Sequence, residues 1–283
     1  MIYIPLIGAV ASAAGTVLEK AILKKKKMGI KLYQIAGFLA IVLVLIPLLF
    51  FFWKLDAGAF STKSILIFAG IVISATIANF LVFYSEKAEK ITSLEPIKIL
   101  EPMFVILLAV ILSFFIEGIG KSNIKIIIPA VIASIALIFP HIKKNHIKFN
   151  KYFIAAIFGS FFFAFELVLS KLILDFYSPI TFYFFRCLFI LALSLMLFKP
   201  GFKSLDKKSS LMILAMGVIS VIFRVATYFG YMQYGIVFTT LIIMISPIFV
   251  YIFANKFLKE KLNWKNIISS LIIVACVVYA LFA

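Results

Sequence analysis

The sequence predicts an all-α integral membrane protein of ten transmembrane helices, arranged as two inverted five-helix repeats. Of its 283 residues, 65% are hydrophobic and only 14% are charged, whereas soluble domains carry about a quarter charged residues. Apolar stretches of roughly 20 residues, each long enough to cross a hydrocarbon core of about 30 Å, recur along the chain. The two halves of the sequence also resemble each other. The lipid bilayer is therefore an expected partner.

The apolar stretches are assigned as helices because a segment that spans lipid must satisfy its own backbone hydrogen bonds. The loops between them are too short for a soluble domain. In the first unit, residues 1–145, the spans are expected at Ile2–Ile22, Leu32–Trp53, Ser64–Tyr84, Ile91–Phe115 and Asn123–Pro140. In the second unit, residues 146–283, they are expected at Tyr152–Leu174, Pro179–Phe198, Leu211–Tyr231, Ile236–Leu258 and Trp264–Phe282.

The distribution of basic residues predicts the orientation. The formal net charge is +17, but the lysines form short clusters between spans, where they meet anionic lipid head groups. No nucleic-acid partner is therefore expected. Loops on one side carry 19 Lys and Arg residues and loops on the other carry 4, so the richer side is predicted to be cytoplasmic. With ten spans in the cell membrane, both termini would be extracytoplasmic.

A proline-centred match relates the two units. The segment 99–105 aligns with the segment 244–250 at an offset of 145 residues, and Pro, Phe and Val coincide in the two segments. Because each unit has an odd number of spans, the second unit must be inverted relative to the first. Inverted repeats are a recurring architecture of secondary transporters, which bind substrate near the repeat interface.

The second copy of this pattern resembles a known family. It runs from Tyr234-Gly235-Ile236 through Pro247 to Leu258-Lys259-Glu260-Lys261-Leu262, and it is similar to EamA-type members of the drug/metabolite transporter superfamily. The resemblance implies ten helices, alternating access and a small-molecule metabolite as substrate. The first unit departs from the pattern, because Glu86-Lys87-Ala88-Glu89-Lys90 replaces the usual small apolar turn and Glu117 falls two positions late.

Charged side chains inside spans are candidate functional residues, because each costs a few kcal/mol or more in lipid. Lys20 and Lys171 lie near span ends, where a long side chain reaches the head groups, so they are expected to be structural. Glu19 lies beside Lys20 in the sequence and within reach of the interface; it is a candidate for proton coupling or for pairing with a basic loop.

Glu95, Lys98 and Glu101 form a polar stripe on the fourth predicted span. Their spacing of three places them on one helix face, and Pro96 and Pro102 interrupt the same helix. Such breaks are tolerated where the backbone lines a cavity or packs on protein. The stripe therefore either lines a substrate cavity, which we favour, or forms an internal ion pair that locks the helix in place.

The two arginines are the most specific candidates. The chain contains 26 lysines and only two arginines, and both Arg186 and Arg224 lie inside spans. A guanidinium group stays charged and offers a planar fork that matches carboxylate or phosphate. Each arginine either binds substrate or pairs with a buried acid such as Glu166 or Glu101.

Two neutral residues complete the candidate site. Tyr228 lies one turn after Arg224 and is a candidate partner for it. Asn79 lies beside a ridge of small residues, Gly70, Ser74 and Ala78, that favours close helix packing.

These residues favour a secondary transporter that acts as an exporter. Its expected substrate is a small polar or amphipathic metabolite such as an amino acid or a related carboxylate. Glu101 and then Glu166 are the first candidates for a proton carrier. No GxxxxGK[ST] segment is present, so ATP hydrolysis is not expected. A lipid-carrier flippase remains an alternative, distinguished by binding lipid.

An intramembrane enzyme is a weaker alternative. It would need Asp, His or Cys residues clustered in the membrane for metal or acid–base chemistry. Only Asp175 approaches a span, at its end, and His141 and His146 lie in one loop. Cys187 and Cys276 lie in apolar spans and are expected to be small buried residues. No metal and no cofactor are therefore expected.

Overall fold

The structure is a computed structural model that describes residues 3–25, 28–88, 100–116, 124–138, 150–198, 205–258 and 264–282. The described residues are almost entirely α-helical. The helices are α1 (Tyr3–Leu23), α2 (Ile30–Phe52), α3 (Thr62–Ala88), α4 (Leu100–Ser113), α5 (Ile124–Ile138), α6 (Lys151–Ile173), α7 (Pro179–Leu197), α8 (Lys207–Tyr234), α9 (Ile236–Ile243), α10 (Ser246–Leu258) and α11 (Trp264–Phe282). Two short 3₁₀ helices, Ala57–Phe60 and Leu174–Phe176, lie in loops.

Seven helical segments of the described chain are long and apolar enough to cross a membrane, and α9 with the first part of α10 forms the last of them. Three shorter apolar helices lie within α4, α5 and α11. Large apolar side chains remain exposed on the outside of the bundle, including Phe50, Phe51 and Phe115, each at least 80% exposed. This surface suits lipid, so the prediction of a multi-pass helical membrane protein is confirmed.

At one end of the bundle, lysine and serine side chains join neighbouring helices by hydrogen bonds, both between the two halves and within the first half. Lys25, after α1, donates to Ser209 of α8 (2.9 Å), and Ser85 of α3 donates to the carbonyl of Tyr152 at the start of α6 (2.7 Å). Lys87 donates to the carbonyl of Met28 (2.6 Å). This end is called the basic end below. Because α1 ends here and α6 begins here, α1 and α6 run in opposite directions.

The opposite end is joined by loop contacts between the two halves. The backbones of Leu55 and Tyr177 form an antiparallel bridge, and the amide of Asp56 donates to the carbonyl of Phe176 (2.9 Å). Thr181, in the first turn of α7, accepts from the amide of Lys54 (3.1 Å). These bonds fix the end of α2 to the start of α7.

Small residues allow α3 and α6 to pack closely. A Cβ placed on Gly159 of α6 would lie 2.7 Å from Cγ2 of Val82, and one on Gly70 of α3 would meet Leu169 at 3.5 Å. Ser74 and Ala78, the other members of the predicted ridge, are buried. The ridge therefore lies in the α3–α6 interface, where the backbones must approach each other.

The predicted span Ile236–Leu258 is not one continuous helix. α9 ends at Ile243, and α10 begins at Ser246 with Pro247 as its second residue. Proline has no N–H and fits the first turn of a helix, where no intrahelical partner is required. Before α9, Gly235 adopts φ +81°, a backbone conformation that glycine reaches without strain.

The structure also contradicts the expectation that the side chain of Lys20 reaches the lipid head groups. Its side chain does not extend to the head groups; Lys20 is buried, and its ammonium group donates to the carbonyl of Glu86 in α3. Lys171 does lie at the far end of α6, paired with Asp175 at 3.4 Å. The predicted residues Glu95, Lys98 and Glu117 fall outside the part of the chain that the structure describes.

Candidate functional site

A cavity of about 230 Å³ lies inside the bundle. Its walls come from α1, α2, α3, α4, α6, α7 and α8 and from the break between α9 and α10. Many lining residues lie towards the basic end: Glu19 is four residues before the end of α1, and Tyr33 and Gln34 are in the first turns of α2. At the other end, packed residues such as Phe182, Tyr228 and Tyr231 fill the bundle.

Arg186 and Glu166 form the deepest ion pair that the structure describes. Nε and Nη2 of Arg186 lie 2.7 and 2.6 Å from the same carboxylate oxygen, Oε2, of Glu166. Arg186 is 2% exposed and Glu166 is fully buried. Of the two alternatives for Arg186, the pairing with a buried acid is therefore present, and the guanidinium group also lines the cavity.

Arg224 is held more loosely. Its Nη1 lies 4.0 Å from Oε1 of Glu166 and makes no hydrogen bond with any described residue. Its guanidinium lies over the rings of Phe163 and Phe223, at 5.5 and 5.2 Å from their centroids. Two guanidinium groups thus share one carboxylate at this depth, and Arg224 keeps donor capacity on the cavity wall.

The structure brings most of the sequence-predicted site residues to this cavity. Glu19, Asn79, Glu101, Arg186 and Arg224 all line it, although they come from five different helices. Glu101, in the first turn of α4, is close enough to Arg224 to interact with it electrostatically.

Three predicted residues, Glu166, Tyr228 and Lys98, are not among the described lining residues. Glu166 is fully buried and does not line the cavity, although it binds Arg186, which does. Tyr228 is not on the cavity wall and does not bond Arg224. Its ring packs edge-on against Phe182 and Tyr183 (centroids 5.0 and 6.1 Å apart), and its buried hydroxyl has no hydrogen-bond partner among the described residues. Lys98 lies outside the described residues.

Several neutral polar residues in the wall have no counterpart in the predicted site. Gln34 is fully buried; its Nε2 donates to Oγ of Ser194 in α7 (2.9 Å), and its Oε1 has no partner in the described chain. Tyr33 donates to Glu19 (3.4 Å), and Tyr183 lies beside Arg186, with the guanidinium 5.8 Å from the ring centroid. Two prolines also line the cavity: Pro247 at the break between α9 and α10, and Pro102 in α4.

Comparison with known proteins supports the fold and the family. The model of the EamA-like transporter family matches residues 150–282. One solved crystal structure has the same fold, with a TM-score of 0.74 and 14% sequence identity; the match covers 99% of this chain and 96% of that chain. No curated protein matches the sequence significantly. As the resemblance in the sequence predicts, the second half of the chain is similar to the EamA-like transporter family, and the match is consistent with the drug/metabolite transporter superfamily.

Proposed function

We propose that this protein is a secondary transporter that exports a small polar or amphipathic metabolite bearing a carboxylate. The observation that carries the proposal is the environment of Arg224. Nη1 of the buried Arg224 has no hydrogen-bond partner among the described residues, Arg224 lines a cavity of about 230 Å³, and Glu166 is already bound by Arg186 at 2.6 Å. A carboxylate in the cavity would supply the acceptor that Arg224 lacks.

The same proposal includes two inverted five-helix units and alternating access in the cell membrane, with both termini outside. The opposite directions of α1 and α6 and the break before Pro247 support it, since inverted repeats and broken helices are typical of secondary transporters. The cavity lies towards the basic end, which the lysine distribution assigns to the cytoplasm. A site open on that side would load a cytoplasmic solute for export.

The experiment is solute exchange by purified protein reconstituted in liposomes, with radiolabelled amino acids and other carboxylates. Arg224→Leu removes the donor and should abolish exchange, whereas Arg224→Lys keeps the charge but loses the fork and should raise KM. Both variants should reach the membrane and remain folded, because the tight pair between Arg186 and Glu166 is intact in each.

The matched control is Lys208→Leu, which removes a cation at the start of α8, where the side chain is exposed. It should exchange solute as the parent does. Exchange that survives in purified Arg224→Leu would contradict an anion site at Arg224. Exchange of lipid-linked substrates alone would favour the flippase.

A further inference from the structure

The guanidinium group of Arg224 lies against two phenylalanine rings on the wall of the cavity. Its Cζ is 5.5 Å from the ring centroid of Phe163 and 5.2 Å from that of Phe223, and all three residues line the cavity. Within about 6 Å a guanidinium group is attracted to the face of an aromatic ring, and the attraction is stronger where water is excluded. Arg224 is buried, so the two rings help to determine where its guanidinium group lies.

The ion pair between Arg224 and Glu166 is open, although the atoms that would close it are both available. Nη1 of Arg224 and Oε1 of Glu166 are 4.0 Å apart, and neither atom has a hydrogen-bond partner among the described residues. A hydrogen bond between nitrogen and oxygen needs about 2.7–3.2 Å, so a movement of roughly 1 Å would satisfy both atoms. Because a charge-assisted hydrogen bond is among the stronger ones, a competing contact is needed to hold the guanidinium group away from Oε1.

Phe163 is the better placed of the two rings to supply that contact. It lies three residues before Glu166 on α6, so the ring and the acid share one face of the helix. Its side chain is buried in an apolar cluster with residues of α3. Phe223 is less buried and directly precedes Arg224 on α8, so it belongs to the same helix as the group that has to be held. Phe163 is therefore a support for the guanidinium group that comes from another helix and is itself packed in place.

We propose that Phe163 is a positioning residue of the anion site: its ring holds the guanidinium group of Arg224 so that Nη1 stays available to the carboxylate of the solute instead of closing onto Glu166. Phe163 acts through Arg224 and forms no hydrogen bond with the solute. This inference rests on the proposed function, since it assumes that Arg224 binds the carboxylate. Loss of the ring should therefore weaken the binding of every carboxylate by the same factor, whatever the rest of the solute is.

The test is binding of propionate and hexanoate, which differ only in the length of the apolar chain, to the full chain in detergent, measured by calorimetry. Phe163→Leu keeps an apolar side chain but removes the ring, and it should weaken the binding of both probes by about tenfold, as the loss of a desolvated cation–π contact allows. Phe163→Tyr keeps the ring and should bind both probes within about twofold of the parent. Phe158→Leu, the same replacement at an exposed position of α6, should leave both affinities unchanged.

The outcomes separate the inference from the proposed function. If Phe163→Leu binds both probes like the parent, or weakens hexanoate alone, the ring does not position Arg224, and the anion site stands. Equal losses in Phe163→Tyr and Phe163→Leu would also contradict the inference, because the ring is present in the first variant. If Arg224→Leu binds propionate like the parent, or if the parent binds neither probe, the proposed carboxylate site is wrong, and the inference falls with it.

Discussion

Arg186, Glu166 and Arg224 place three charges in the interior of a helix bundle, where each unpaired charge would be costly. Glu166 is the residue that makes the two arginines compatible, because its two oxygens face different guanidinium groups, at 2.6 and 4.0 Å. The unequal distances divide the roles. Arg186 is held tightly by its acid through Nε and Nη2, whereas Arg224 keeps the N–H group that the proposed solute would use.

The first prediction tests the structural role of Arg186. Arg186→Met leaves Glu166 buried with only the loose contact to Arg224, and it should lower the free energy of unfolding by about 3–5 kcal/mol. Glu166→Met should also destabilise the protein, because it leaves two like charges together. Thermal unfolding of the purified variants in detergent measures both effects.

The double variant Arg186→Met/Glu166→Met is the control. Because it removes the pair together, it should lose less stability than the two single changes added. Strict additivity would show that Arg186 and Glu166 do not depend on each other.

The second prediction concerns proton coupling at Glu101. Glu101 lines the cavity and interacts electrostatically with Arg224, so its protonation and the binding of a solute would affect each other. Glu101→Gln mimics the protonated acid at nearly the same size. It should retain exchange between equal pools of solute but lose transport driven by an imposed pH gradient, both measured in liposomes.

Glu19→Gln and Glu166→Gln are the comparisons, as the other acids considered for this role. If Glu101→Gln still follows the gradient as the parent does, Glu101 is not the proton carrier. A parent protein that ignores the gradient would instead be a facilitator.

At the scale of single residues, charge was the property from which cavity residues could be predicted. Glu101, Arg186 and Arg224 were predicted because a charge in an apolar span needs an explanation, and all three line the cavity. Gln34 was not predicted, since a neutral amide near the start of a span carries no comparable penalty. Tyr228 was predicted from its spacing to Arg224, but the aromatic rings of Phe182 and Tyr183 hold it behind the wall.

At the scale of the helices, length and hydropathy predicted most elements. The observed α2, α6 and α7 agree with the predicted spans to within two or three residues at the described ends. The break at residues 244 and 245 was not predicted, because the apolar run continues through it. Pro247 indicated that the helix is irregular near this position, but a proline in an apolar span is compatible with a kink as well as with a break.

The third prediction tests the α3–α6 interface. Gly159→Ala would place a methyl group 2.7 Å from Cγ2 of Val82, a β-branched side chain with little freedom to move. The midpoint of thermal unfolding should fall, although alanine is the better helix former by about 1 kcal/mol.

Gly37→Ala is the matched control for stability, because a Cβ there meets nothing within 4 Å; its unfolding midpoint should stay or rise. Adding Val82→Ala to Gly159→Ala should recover part of the loss by vacating the space. A Gly159→Ala protein as stable as the parent would mean that α3 and α6 have room to separate.

Across the whole molecule, the two ends of the bundle differ. At the end opposite the basic end, the backbone bridge between Leu55 and Tyr177 and buried aromatic rings join the described helices, whereas the cavity lies towards the basic end. Among the described residues, the cavity therefore lies nearer the basic end than the opposite end. If the basic end is cytoplasmic, the cavity lies nearer the side from which the proposed exporter would load its solute.

The fourth prediction is the orientation. Positive charges retain loops in the cytoplasm, so Lys24 and Lys207 should be cytoplasmic and Asp56 extracytoplasmic; all three side chains are exposed. Single cysteines at these positions can be labelled in intact cells by a maleimide that does not cross the membrane. The native thiols give little background, because Cys187 and Cys276 are both buried. Asp56→Cys should react in intact cells, and the other two should react only after the cells are opened. Labelling of Lys24→Cys in intact cells would show that the orientation is the opposite of the predicted one. The cavity would then lie nearer the outside, and its position would support uptake instead of export.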